Sequence, residues 1–159
     1  DPYPTEEKSI RPYVADDYPK LFENAGTKVL VLSMHRTFWE KATILHAEAH
    51  RPPDKQTPPS YSRHYYDLAM LVETVEGKVA AKDYDMLAQV AKHKTAFFRS
   101  GWASYRTAKP GTLKLVPDEK RIKSLRLDYN KMQPMIFDQP IPSFDAIIET
   151  LRRLEESIN

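Results

Sequence analysis

Apolar residues recur along this chain mostly at helical spacing. Between Arg36 and His50, Phe38, Ala42, Leu45 and Ala49 follow one another at intervals of four, three and four, which predicts a helix with a single apolar stripe. Arg51-Pro52-Pro53 ends it, and the Pro-, Asp- and Thr-rich stretch up to Ser60 reads as a mobile loop. Ser60 or Ser62 is then placed to cap a helix running to about Thr74, with Tyr65, Leu68, Leu71 and Val72 inward. Gly77 interrupts the pattern. Asp83 is an N-cap for a helix to about Arg99, its inner face built from Met86, Leu87, Val90, Ala91, Phe97 and Phe98. Pro117-Asp118 opens a charged helix through Met132 with Ile122, Leu125 and Tyr129 inward. Pro134 to Pro142 is a loop, and Ser143 caps a last amphipathic helix that ends near Ile158.

Two segments break the helical rhythm. Thr27 to Leu32 (TKVLVL), β-branched and apolar, predicts a buried strand, and Thr112 to Val116 a short edge strand. Asp1 to Asn24, with four prolines, reads as extended arm and loop. The fold class is therefore mainly α (α+β): about five helices with one or two short strands, divided into an arm and strand over 1–35 and a helical domain over 36–159.

A chain of 159 residues holds one ordinary domain. No run of about 18 apolar residues is present, the start does not resemble a signal peptide, and there is no cysteine, so a cytoplasmic protein without membrane contact, disulfides or thiol chemistry is expected. The net charge of +2 conceals an uneven distribution: residues 92–126 carry ten basic and two acidic groups. Lys92, Lys94, Arg99, Arg106, Lys109, Lys114, Lys120, Arg121, Lys123 and Arg126 form either a phosphate-attracting surface or a solvated face balanced by the acidic C-terminal helix.

Several chemistries find no support. The four isolated glycines form no phosphate loop, and no glycine-flanked serine elbow is present. His46 and His50 share a helix face, but Glu48 is misplaced for a zinc-protease motif and no third ligand is marked, which favours an ordinary, partly exposed pair. The Asp16-Asp17 pair reads as a solvated turn. Two positions are less ordinary. Lys41 lies about 60° from the centre of its helix's apolar stripe, so its stem is expected to be buried and its ammonium held at a rim, where it can grip phosphate. Asp67 follows Arg63 by one turn, which allows a surface ion pair. Lys94 points along the centre of an apolar face, where an ammonium must find a carboxylate, lose its proton, snorkel to water or open onto a polar cleft.

The blocks Arg36-Thr37-Phe38-Trp39-Glu40-Lys41-Ala42, Arg63-His64-Tyr65-Tyr66-Asp67-Leu68 and Ala91-Lys92-His93-Lys94 with Phe97-Phe98 resemble, in order and spacing, the C-terminal part of the AbiEii/AbiGii nucleotidyltransferase toxin family. The likeness continues through Leu113-Lys114-Leu115-Val116-Pro117, Asp128-Tyr129 and Phe144-Asp145 to Ile158-Asn159. It implies a DNA-polymerase-β-like nucleotidyltransferase of a toxin–antitoxin (abortive infection) system, transferring a nucleotide from an NTP with Mg²⁺ to an acceptor, tRNA in some members, and paired with an antitoxin. It also implies that Lys41 and Asp67 are the catalytic lysine and aspartate, with Arg36, Arg63, His64, His93 and Lys94 as substrate-binding groups. His64 stands where many members carry an aspartate.

The family's glycine turn and metal-binding carboxylate pair do not occur in this sequence. The expectation is thus a C-terminal domain, its residues 1–35 left from the nucleotidyltransferase lobe, that binds neither Mg²⁺ nor NTP by itself and is inactive alone. The alternatives are a non-catalytic helical module that binds RNA or an antitoxin, and an interaction domain that has lost the enzyme.

Overall fold

The computed structural model describes residues 3–98, 100–137 and 140–159. Two antiparallel strands, β1 (Thr5–Ile10) and β2 (Thr27–Leu32), pair with Thr5 opposite Leu32 and Ile10 opposite Thr27. The opening is thus less extended than its prolines suggest: it holds β1, a short helix α1 (Val14–Asp17) and a single 3₁₀ turn at Pro19–Leu21. β2 is not the buried strand its composition predicts. Leu30 is 74% exposed, because a two-stranded ribbon has no second layer to cover its faces. The hairpin is tied to the helical body where the Ser33 N–H donates to the Pro4 carbonyl (3.0 Å) and Arg36 donates to the Tyr3 carbonyl (3.2 Å).

The body is helical. α2 (Met34–Ala49) begins where the Ser33 hydroxyl accepts from the Arg36 N–H, and it buries Phe38, Trp39, Ala42 and Leu45. α3 (Ser62–Glu73), α4 (Val75–Ala80) and α5 (Tyr84–Phe97) all pack on α2, and α3 also packs on α6 (Glu119–Met132) and α7 (Phe144–Ile158). Asp83, Asp118 and Ser143 cap α5, α6 and α7 as their positions predict. The five long helices are those of the sequence pattern, and α1 and α4 are short additions.

Four details depart from expectation. Neither Ser60 nor Ser62 caps α3; the Asp128 carboxylate of α6 accepts from the N–H groups of both and from the Ser62 hydroxyl, a cap supplied across the fold. Gly77 lies inside α4 rather than ending a helix, and glycine is required there because a Cβ would sit 1.7 Å from the Leu71 carbonyl oxygen. Residues 112–116 form no strand. Leu113 and Leu115 are buried, and the N–H groups of 113 to 116 are received by side chains of Asn159, His46 and Glu155 instead of a strand. Phe97 and Phe98 are exposed: α5 ends at Phe97, and its buried inner face runs only as far as Lys94. The expected helix end at Arg99 and part of the Pro134 to Pro142 loop lie outside the described residues.

Candidate functional site

Packing of α2 against α3 brings the two unusual residues together. Lys41 Nζ donates to Asp67 Oδ2 at 2.6 Å and approaches His64 Nδ1 at 3.4 Å. The lysine side chain is 24% exposed, so its stem is covered and its ammonium reaches a rim, as the helical projection predicts. Asp67 is claimed by Lys41 across the helix interface, and no ion pair with Arg63 is formed. The same spacing that would allow a surface pair therefore serves a tertiary contact. Arg63 stays exposed beside Asp67 in a shallow cleft.

His64 is the neutral member of the group. Burial, and then the Lys41 charge, lower its pKa from 6.5 to about 4, so at neutral pH its ring accepts from Lys41 without adding charge. Its ring also packs edge-on to Tyr61 at 4.9 Å.

One residue before Lys41, Glu40 anchors a second ion cluster. It receives Lys94 Nζ at 2.6 Å and Arg36 at 2.8–2.9 Å. Among the options for Lys94, the structure takes the carboxylate, and the ammonium also lies 4.7 Å from the Phe98 ring. Burial pushes the Glu40 carboxyl up, but Lys94 and Arg36 outweigh it and hold it below the usual range. The i,i+4 spacing of Glu40 from Arg36 is a legible signal of this ion pair in the sequence. His93 stands apart, in ring contact with Phe97 (4.7 Å) and Phe98 (6.2 Å).

Within the His46/His50 pair only His50 is partly exposed, and the ring of His46 is fully committed. His46 is buried, donates from Nε2 to the Ser104 carbonyl and Thr107 Oγ1 (both 3.1 Å), and accepts the Lys114 N–H at Nδ1 (3.0 Å). Burial, then the nearby His50, lowers its pKa to about 4. Among the described residues no group of three His, Cys, Asp or Glu side chains can hold a metal ion.

The basic stretch divides in two. Lys94, Arg121 and Arg126 are drawn into ion pairs with Glu40, Glu48 and Asp145. Arg99 lies outside the described residues. Of the exposed remainder, Lys92, Arg106 and Lys109 border a groove of about 540 Å³ that shares Thr95, Ala96, Tyr105 and Arg106 with a neighbouring groove of about 730 Å³ reaching Phe98. Lys114, Lys120 and Lys123 are also exposed but do not line this groove, and Lys120 borders a separate one with Lys55 and Arg121, so three of the segment's ten cations meet along α5.

The family model described as "Nucleotidyl transferase AbiEii toxin, Type IV TA system" matches residues 1–150. No curated protein and no solved structure matches the chain.

Proposed function

Because the chain belongs to the AbiEii nucleotidyltransferase toxin family of type IV toxin–antitoxin systems, we propose that the Lys41–Asp67 pair is the cationic part of a site that transfers a nucleotide from an NTP to an acceptor. The observation that carries this reading is the 2.6 Å contact between α2 and α3, at a rim where the ammonium reaches solvent. A phosphoryl-transfer site needs fixed positive charge against the nucleotide's phosphates. Lys41 meets that need as a point charge, since Asp67 and His64 take two of its three N–H bonds and leave the third for a phosphate oxygen. Asp67 aims the ammonium and is also placed to receive the acceptor hydroxyl. His64, uncharged at neutral pH, supports Lys41 without competing for the anion.

Magnesium is the proposed metal partner, and what it supplies when bound is charge neutralisation and activation of an oxygen. The α5 groove with Lys92, Arg106 and Lys109 is the proposed track for an RNA acceptor such as tRNA, because clustered cations beside the Tyr105 ring suit phosphates and bases. The test is transfer from labelled NTP to bulk tRNA by the full-length protein with Mg²⁺. Lys41→Ala and Asp67→Ala each lower the rate by orders of magnitude while circular dichroism stays unchanged. Wild-type activity in either variant would return the pair to a structural ion bridge. Binding to tRNA falls steeply between low and physiological salt if the groove holds phosphates.

A further inference from the structure

The face of α3 that carries Asp67 opens into a cleft of about 260 Å³, walled by Tyr13, Arg63, Tyr66, Asp67, Met135 and Phe137. Asp67 is at once a wall of this cleft and the acceptor of the Lys41 ammonium, so the cleft begins where the cation ends. We propose that it receives the nucleobase and ribose of the nucleotide whose phosphates Lys41 holds. This placement rests on the phosphate role given to Lys41 above.

Three features carry it. Aromatic rings and methionines dominate the walls, and two of the rings are left largely in solvent: Tyr13 is 84% and Phe137 86% exposed. Flat apolar walls of this kind suit a base, which stacks on aromatic rings whatever its sequence identity. Charge then sets the direction in which a nucleotide lies. Within the cleft the Asp67 and Arg63 charges offset each other, whereas Lys41 adds a cation at the edge, so the anionic end is held there and the uncharged base goes in. Arg63 supplies the polar contact. It is exposed one turn before Asp67, forms no ion pair among the described residues, and presents a planar guanidinium that can stack on a base or bond its edge.

Calorimetric titration of the full-length protein with ATP, with CTP and with inorganic tripolyphosphate separates the base from the phosphate contribution. Tyr13→Ala and Phe137→Ala each weaken ATP and CTP binding roughly tenfold and leave tripolyphosphate binding unchanged, and Phe137→Tyr keeps the wild-type affinity because it keeps the ring. Lys41→Met weakens all three ligands. Both alanine variants alter exposed side chains, so the fold is preserved. Unchanged ATP and CTP affinity in the Tyr13→Ala/Phe137→Ala double variant would overturn the cleft and leave the phosphate role of Lys41 standing. Tripolyphosphate binding indifferent to Lys41→Met, or no binding of any ligand by the wild-type protein, would overturn that role and this placement with it.

Discussion

Glu48→Gln is expected to be among the most damaging isosteric substitutions in this protein. Glu48 is fully buried on α2 and is held by Arg51 Nε at 2.6 Å, by Arg121 at 3.2 Å and by the Thr57 hydroxyl. The two guanidiniums are only about one-tenth exposed (11% and 9%), so removing the carboxylate charge strands cations that water reaches poorly. Taking one partner from such a cluster costs about 3–5 kcal/mol. The low end applies here. Arg121 still donates to Thr57 Oγ1 (2.7 Å) and to the carbonyls of Pro52, Arg51 and Lys55, and Arg51 still lies 4.4 Å over the Trp102 ring. A loss of roughly 3 kcal/mol lowers the melting temperature of a chain this size by about 6–12 °C. The assay is thermal and urea unfolding followed by circular dichroism, with limited proteolysis of the 52–58 loop, which the same cluster pins. A change within about 0.5 kcal/mol with no new cleavage would show that the cluster is not holding the loop.

Other outcomes follow from the same packing. Gly77→Ala is strongly destabilising because its Cβ meets the Leu71 carbonyl, whereas Gly101→Ala, with nothing within 4 Å, stays within about 0.5 kcal/mol; equal melting temperatures would refute the close approach. Lys94→Met leaves Glu40 with Arg36 alone and is destabilising, and Glu40→Gln added to it recovers part of the loss; full additivity of the two in urea unfolding would argue against the pair. His46 and His64 are held near pKa 4 when folded, so between pH 6.5 and 4 the unfolded chain takes up protons that the folded one does not. Stability is then complete above about pH 6.5 and falls as pH is lowered, by roughly 3 kcal/mol at pH 4 for His46. Glu40, Asp83 and Asp128 sit below their ordinary values and add their losses only under about pH 4.5, so the slope between pH 6.5 and 5 reports the histidines; a flat profile there would refute it.

The long helices were readable because each repeats its apolar residues at helical spacing and opens on a capping side chain. What escaped were features decided between elements. TKVLVL carries strand chemistry, but whether a strand is buried depends on a second layer that local pattern does not report. Asp128 caps α3 from 66 residues away, which no local spacing reveals. Lys41 and Lys94 announced themselves as cations on or near apolar stripes. Glu48, three residues after Leu45 on the same stripe, gave the same signal and was masked by the histidines on either side of it. Asp67 shows the limit from the other side: one turn after Arg63 it suits a surface pair, and only the packing of α2 on α3 assigns it to Lys41.

The proposed site requires Lys41 and Asp67 to act as one unit. A double-mutant cycle on nucleotide transfer by the full-length protein, with Lys41→Met, Asp67→Asn and their combination, measures this directly. Each single variant is expected to lose most of the activity, and the double variant to be no worse than the weaker single one. Losses that multiply, or a single variant with wild-type transfer, would contradict the proposed site.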